Sequence, residues 1–225
     1  MFGVDQWIVH FSDGTTLLFV LGAAVLLGLR HASDPDHLAA VTTLIAGAEE
    51  RATKAAARLG AAWGLGHATS LFAFGVPIVL FNAYLPSDVE QGAEAAVGLL
   101  IVALAVWLLV RWRRGLFHAH IHAHARPQVR RPAQAFGIGL VHGTGGSAGV
   151  GVLLLASIHD HWIAVAALAL FALCTALSMT LLSTGFGRAL GAVSLDRLAP
   201  AFGLFSLAFG AWYALGALNV APYFF

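Results

Sequence analysis

Charge is what this chain has least of. Asp, Glu, Lys and Arg together make up 10% of its 225 residues, where a soluble domain of this length carries about 25%. The formal net charge of +1 says nothing about nucleic acid, and no nucleic-acid partner is expected. Cysteine is nearly absent. Cys174 stands alone in an apolar run, which excludes an intrachain disulfide and a thiolate metal cage. Two catalytic signatures are also missing. There is no Gly-Lys-Ser/Thr phosphate loop, so the chain is not itself an ATPase, and no His-Glu-x-x-His, so it is not an intramembrane zinc protease. No enzyme activity and no organic cofactor are expected. The opening MFGVDQWIVHFSDG has neither a basic n-region nor a small-residue cleavage site, and it reads as no signal peptide.

What remains is apolar. Hydrophobic residues account for 59% of the chain, and they fall into six segments, at 15–48, 60–81, 94–112, 134–158, 161–185 and 198–218. Five are close to the roughly 20 residues that a helix needs to cross a bilayer, and the first is too long for one straight crossing. The expected fold is an all-α polytopic membrane protein of about six transmembrane helices in a single domain, 1–225. Its halves, 1–112 and 134–225, would be joined by a loop at 113–133. Arg51, Lys54 and Arg58 precede the second segment. Arg111, Arg113, Arg114, Arg126, Arg130 and Arg131 follow the third, and Arg188 and Arg197 precede the last. The alternate connections hold no Lys or Arg. The positive-inside rule therefore places the basic connections in the cytoplasm and both termini outside. A short internal similarity, Gly28-Leu29-Arg30-His31 with Gly139-Leu140-Val141-His142, suggests a 3+3 inverted repeat at an offset of 111, which sets Asp36 on Ser147 and Thr69 on Thr180.

The eleven histidines nearly match the twelve Lys and Arg, and several lie where histidine is costly. Within the first apolar segment stands Arg30-His31-Ala32-Ser33-Asp34-Pro35-Asp36-His37. Pro35 lacks an N–H and cannot donate to the carbonyl of His31, and it pushes Asp34 out of the helical region. A helix broken at residues 32–35 follows. Asp34 would cap a second piece that opens with Pro35 and carries Asp36 in its first turn. Imidazole and carboxylate together suit first-row divalent metals. An ionisable cluster inside a membrane segment points to function rather than to a plain turn. Arg30 would either neutralise an aspartate or reach for the interface. His67 (with Thr69 beside it) and His142 (with Ser147 beyond it) add polar groups to the second and fourth segments. His118, His120, His122 and His124 form FHAHIHAH in the basic loop, a flexible tract of weak metal affinity. His159-Asp160-His161 reads as a polar turn, and the sulfurs of Cys174 and Met179 as core.

These motifs resemble the nickel/cobalt transporter family, in particular its shorter urease-accessory and efflux relatives. The family signature R-H-A-x-D-A-D-H matches Arg30–His37 with Pro35 in place of the usual alanine. Leu65-Gly66-His67-Ala68-Thr69 and His142-Gly143-Thr144-Gly145-Gly146-Ser147-Ala148 resemble two further family elements. The resemblance implies transport of Ni²⁺, or Co²⁺, across the cytoplasmic membrane of a prokaryote. Its metal ligands would be His31, Asp36 and His37, completed or relayed by His67 and His142, with Arg30, Asp34, Thr69 and Ser147 around them. Uptake is the expected direction, with efflux or an accessory role beside nickel-enzyme maturation as alternatives. The acidic residue that often follows the signature is missing from Leu38–Thr43, and the segments number fewer than in the long importers, which places this chain with the short relatives.

Overall fold

The computed structural model describes residues 4–46, 52–81, 86–115, 131–145, 158, 160–191 and 195–222. Seven helices account for nearly all of them: α1 (Val4–His31), α2 (Pro35–Ala46), α3 (Ala52–Phe81), α4 (Ser87–Arg113), α5 (Pro132–His142), α6 (His161–Gly191) and α7 (Leu195–Ala217). No strand occurs among the described residues.

Four helices are long and apolar enough to cross a membrane: Thr53–Phe81, Ser87–Arg113, His161–Ala189 and Leu198–Ala217. A fifth crossing is bent. Leu17–His31 and Pro35–Ile45 meet at 49°, with the break where Asp34-Pro35 demands it. The sixth expected segment, 134–158, is represented by α5 and the turn after it, and most of its remainder lies outside the described residues. The helices also outrun the apolar segments. Lys54 and Arg58 fall inside α3, and Arg111, Arg113 and Arg188 fall in last turns, although the apolar pattern leaves them in connections. The reason is propensity: Ala52–Leu59 is rich in strong helix formers that hydropathy does not register. Arg111 is buried, with its guanidinium carbon 4.7 Å from the centre of the Trp107 ring, so it packs its helix rather than decorating a loop.

Local chemistry sets the helix starts. Asp160 Oδ1 accepts the N–H groups of Trp162 (2.8 Å) and Ile163 (3.1 Å) at the head of α6, which makes the expected polar turn an N-cap. Pro132 opens α5, and the Arg131 N–H donates to Gln134 Oε1.

The bundle is built around α3 packed on α6. α1 lies against α6, α5 against α3, and α4 against α7, while α2 runs between α7 and α4. Trp63, Leu44, Leu108 and Met179 fill one apolar cluster, and Leu71, Leu168 and Phe171 another. Leu18, Phe19, Leu26, Leu99, Leu173 and Leu181 point outward. Apolar side chains both inside and outside are what a bilayer as solvent allows.

Candidate metal site

Two helix ends and one helix middle meet inside this bundle. α1 ends at His31, α5 ends at His142, and α3 passes between them with His67. His31 is the middle residue of the bent Leu17–Ile45 crossing, and His67 is the middle residue of Thr53–Phe81. α2 begins beside them and contributes Asp36 and His37 from its first turn. His31, Asp36, His37, His67 and His142 are all buried, each at most 4% exposed.

The two motif histidines are held in the same way. His31 Nδ1 lies 3.2 Å from Asp34 Oδ2, and His37 Nδ1 lies 3.2 Å from Asp36 Oδ1. A carboxylate accepts, so each Nδ1 is the protonated nitrogen, and each Nε2 presents its lone pair inward. This is the arrangement by which carboxylates orient metal-binding imidazoles. His37 Nε2 is buried without a protein partner. His31 Nε2 faces His67 Nε2 at 3.2 Å. Two imidazoles sharing one first-row ion at about 2.1 Å stand roughly 3.0–3.4 Å apart when their bonds are perpendicular or tetrahedral.

The remaining atoms continue the pattern. His142 Nε2 and Asp36 Oδ2 lie 3.3 Å apart without the alignment of a hydrogen bond, and His67 Nδ1 and His142 Nδ1 have no protein partner either. So many bare, buried ligand-type atoms in one place are costly unless an ion engages them. They form two groups, His31–His37–His67 and Asp36–His37–His142, each with its ligand atoms within 4.8 Å of one another. His37 belongs to both. The rings confirm the nesting: His37 is 4.6 Å from His31, 4.9 Å from His67 and 4.5 Å from His142, centre to centre.

The surrounding residues divide. Asp34 sits behind His31 and also faces Arg30, whose guanidinium is 3.5 Å from Oδ1 and largely exposed. The His31 carbonyl, expected to be freed by Pro35, accepts the Asp34 N–H at 3.1 Å and so is already engaged. Thr69 does not face the site. It is exposed and donates to the Leu65 carbonyl of its own helix, because two residues turn a helix by about 200° and carry it to the far face from His67. Its neighbour Ser70, which the sequence reading passes over, is buried on the His67 face and donates to the Leu140 carbonyl at 2.7 Å. Trp63, one turn before His67, is likewise a wall of the site, with its ring 5.7 Å from both His37 and His142. Phe171 closes the side next to His31 at 5.5 Å. The signal for Ser70 and Trp63 was helical phase from His67, while nothing local marks Phe171. Ser147 and the loop histidines His118, His120, His122 and His124 lie outside the described residues.

A multi-pass helical membrane protein with a buried nitrogen-and-oxygen ligand cluster halfway along its spans defines a class: proteins that handle a divalent transition metal within the bilayer. The chain belongs to the NicO family, described as high-affinity nickel-transport protein, whose family model matches residues 17–176. It is 27% identical over 182 residues to the urease accessory protein UreH of Bacillus sp. (strain TB-90), a match covering 78% of this chain and 79% of that protein. No solved structure matches the chain significantly.

Proposed function

We propose that this protein is a secondary transporter that carries Ni²⁺, with Co²⁺ as its nearest competitor, into the cell across the cytoplasmic membrane. The observation that carries the reading is the set of bare ligand atoms on His37, His67, His142 and Asp36 at mid-span. The basic connections face the cytoplasm and the termini the outside. The ion, as substrate, first meets three neutral imidazoles, His31, His37 and His67. It then moves to Asp36, His37 and His142, where one carboxylate offsets part of its charge. Because His37 serves both groups, the ion changes partners without ever losing all of them. The family description supports nickel, and likeness to a protein named as a urease accessory protein supports uptake over efflux. An accessory role without transport is the second reading, favoured by that same name. Without a phosphate loop, the driving force is an ion or voltage gradient, or a partner chain.

Flux of radiolabelled Ni²⁺ into proteoliposomes of known orientation, with Co²⁺ and Zn²⁺ as competitors, tests substrate and direction together. Saturable flux that Co²⁺ competes away more effectively than Zn²⁺ is expected. Metal binding without flux in either orientation would replace transport by the accessory reading.

A further inference from the structure

The tetrapeptides 28–31 and 139–142 resemble each other at an offset of 111, and both close a helix, α1 at His31 and α5 at His142. The helix bounds keep that offset to within two residues: α3 covers 52–81 and α6 covers 161–191. So do the contacts between helices, and they do so crosswise. A Cβ added to Gly28 of α1 would press on Phe171 and Cys174 of α6, and one added to Gly139 of α5 would strike the carbonyl of Trp63 of α3. Gly28 and Gly139 are equivalent at that offset, and so are Trp63 and Cys174. Each half therefore seats its own broken helix on the other half.

The ends of those helices share a further problem. In a continuing helix the Leu29 carbonyl would accept the N–H of residue 33, and the Leu140 carbonyl that of residue 144. Here the Ser33 N–H goes to Arg30 and the Thr144 N–H goes to Val141. Both carbonyls are left over beside the buried histidines, where an unmet backbone group is costly. Each is met by a serine from the opposite half. Ser178 of α6 donates to Leu29 at 2.9 Å, and Ser70 of α3 donates to Leu140 at 2.7 Å. Leu29 and Leu140 are themselves equivalent at the same offset. The donors differ by one turn: Ser178 stands at the position of His67, whereas Ser70 lies three residues beyond His67 on the same face. Where the first half uses that position for a ligand, its donor has moved to the next turn.

We propose that Ser178 and Ser70 are a pseudo-symmetric pair of positioning residues that set the two metal-facing helix ends. Ser178 fixes His31 and Ser70 fixes His142, each through the carbonyl two residues earlier. The proposal rests on the reading that those histidines meet the transported ion. Neither serine touches the ion. Ser70 is buried and Ser178 half-buried, so the Ser70 bond is the better shielded from exchange and carries the larger effect.

The test uses the full chain in detergent, with equilibrium Ni²⁺ binding, the ligand-field absorption of bound Co²⁺ and thermal stability read in parallel. Ser70→Ala and Ser178→Ala are expected to weaken Ni²⁺ binding by about threefold to tenfold, the worth of one hydrogen bond, and to shift the Co²⁺ spectrum. Ser70→Thr and Ser178→Thr, which keep the hydroxyl, should restore both. Ser70→Ala should add nothing in a His142→Ala background while Ser178→Ala still does, and the reverse should hold in a His31→Ala background. Should neither histidine variant bind, alanine against threonine on the Co²⁺ spectrum decides. An unchanged spectrum and affinity in both alanine variants, or an equal loss with and without the paired histidine, would overturn the proposal in favour of plain helix packing. His37→Ala separates the two levels. If it binds Ni²⁺ as the native protein does, the metal-site reading itself falls and the proposal falls with it. If it does not bind and the serine variants are silent, only the positioning role is lost.

Discussion

The break after α1 and the end of α5 are the same structural event with different chemistry. Both helices stop at a buried histidine, and both lean on a long helix through a glycine. After His31 come Asp34, Pro35, Asp36 and His37; after His142 come glycine and threonine. The first half also has His67 where the second has Ser178. The scaffold is thus shared and the ligands are one-sided: four of the five come from the first half, and His142 alone crosses over. In the proposed transport cycle, two halves rocking against each other would leave most of the grip on the ion with one of them.

The strongest blow to that asymmetry is His37→Ala, since His37 alone belongs to both ligand groups. Binding and flux should both fall by more than the roughly 100-fold that loss of a supporting partner costs, with the protein still inserted; native flux in this variant would remove the site. His142→Ala strikes the other side of the comparison. It should abolish flux while Ni²⁺ stays bound, about tenfold more weakly, by His31, His37 and His67, so a shifted but measurable isotherm beside a flat flux trace is the expected pair of results, and complete loss of both would merge the two groups into one. The aspartates come next. Asp36→Asn removes a ligand and should cost more than Asp34→Asn, which removes only the support behind His31 and should weaken binding by about 10- to 100-fold. The reverse order in isothermal titration would exchange their roles. Deleting residues 118–124 should raise the apparent KM for Ni²⁺ without lowering the maximal rate, because a flexible histidine tract only concentrates ions; a collapsed maximal rate in the flux assay would make the loop part of the path. The smallest effect belongs to Pro35→Ala. With the His31 carbonyl taken by the Asp34 N–H, that turn holds the bend together with the proline, and affinity should change by less than about twofold. A large loss would show that the ring alone holds the bend.

What could be read from residues alone follows from how local the rule was. Asp34-Pro35 breaks a helix by short-range sterics, so the break was legible to the residue. The ligand-type residues were legible because ionisable groups are rare in apolar spans. Their pairing was not. Nothing in the order His-Ala-Ser-Asp-Pro-Asp-His says that Asp34 turns back to His31 while Asp36 holds its own neighbour. That choice depends on where the bent chain delivers each carboxylate. Helical phase from His67 separates buried Ser70 from exposed Thr69, and adjacency in the sequence does not. The crosswise seating of each half on the other was out of reach, since it joins residues 76 positions apart (Trp63 and Gly139) and 146 positions apart (Gly28 and Cys174).

The depth of the cluster has an electrical consequence. His31 and His67 are the central residues of their crossings, so an ion held between them has traversed about half of the membrane field. An elementary charge moved through the whole field gains about 2.3 kcal/mol per 100 mV, and a doubly charged ion carried halfway gains about the same. That is a roughly 50-fold tightening, for each 100 mV of inside-negative potential, of the affinity seen from outside. In the uptake proposed here, the resting voltage of the cell would load the site by itself, and the chain would draw metal inward from dilute surroundings without a phosphate loop of its own.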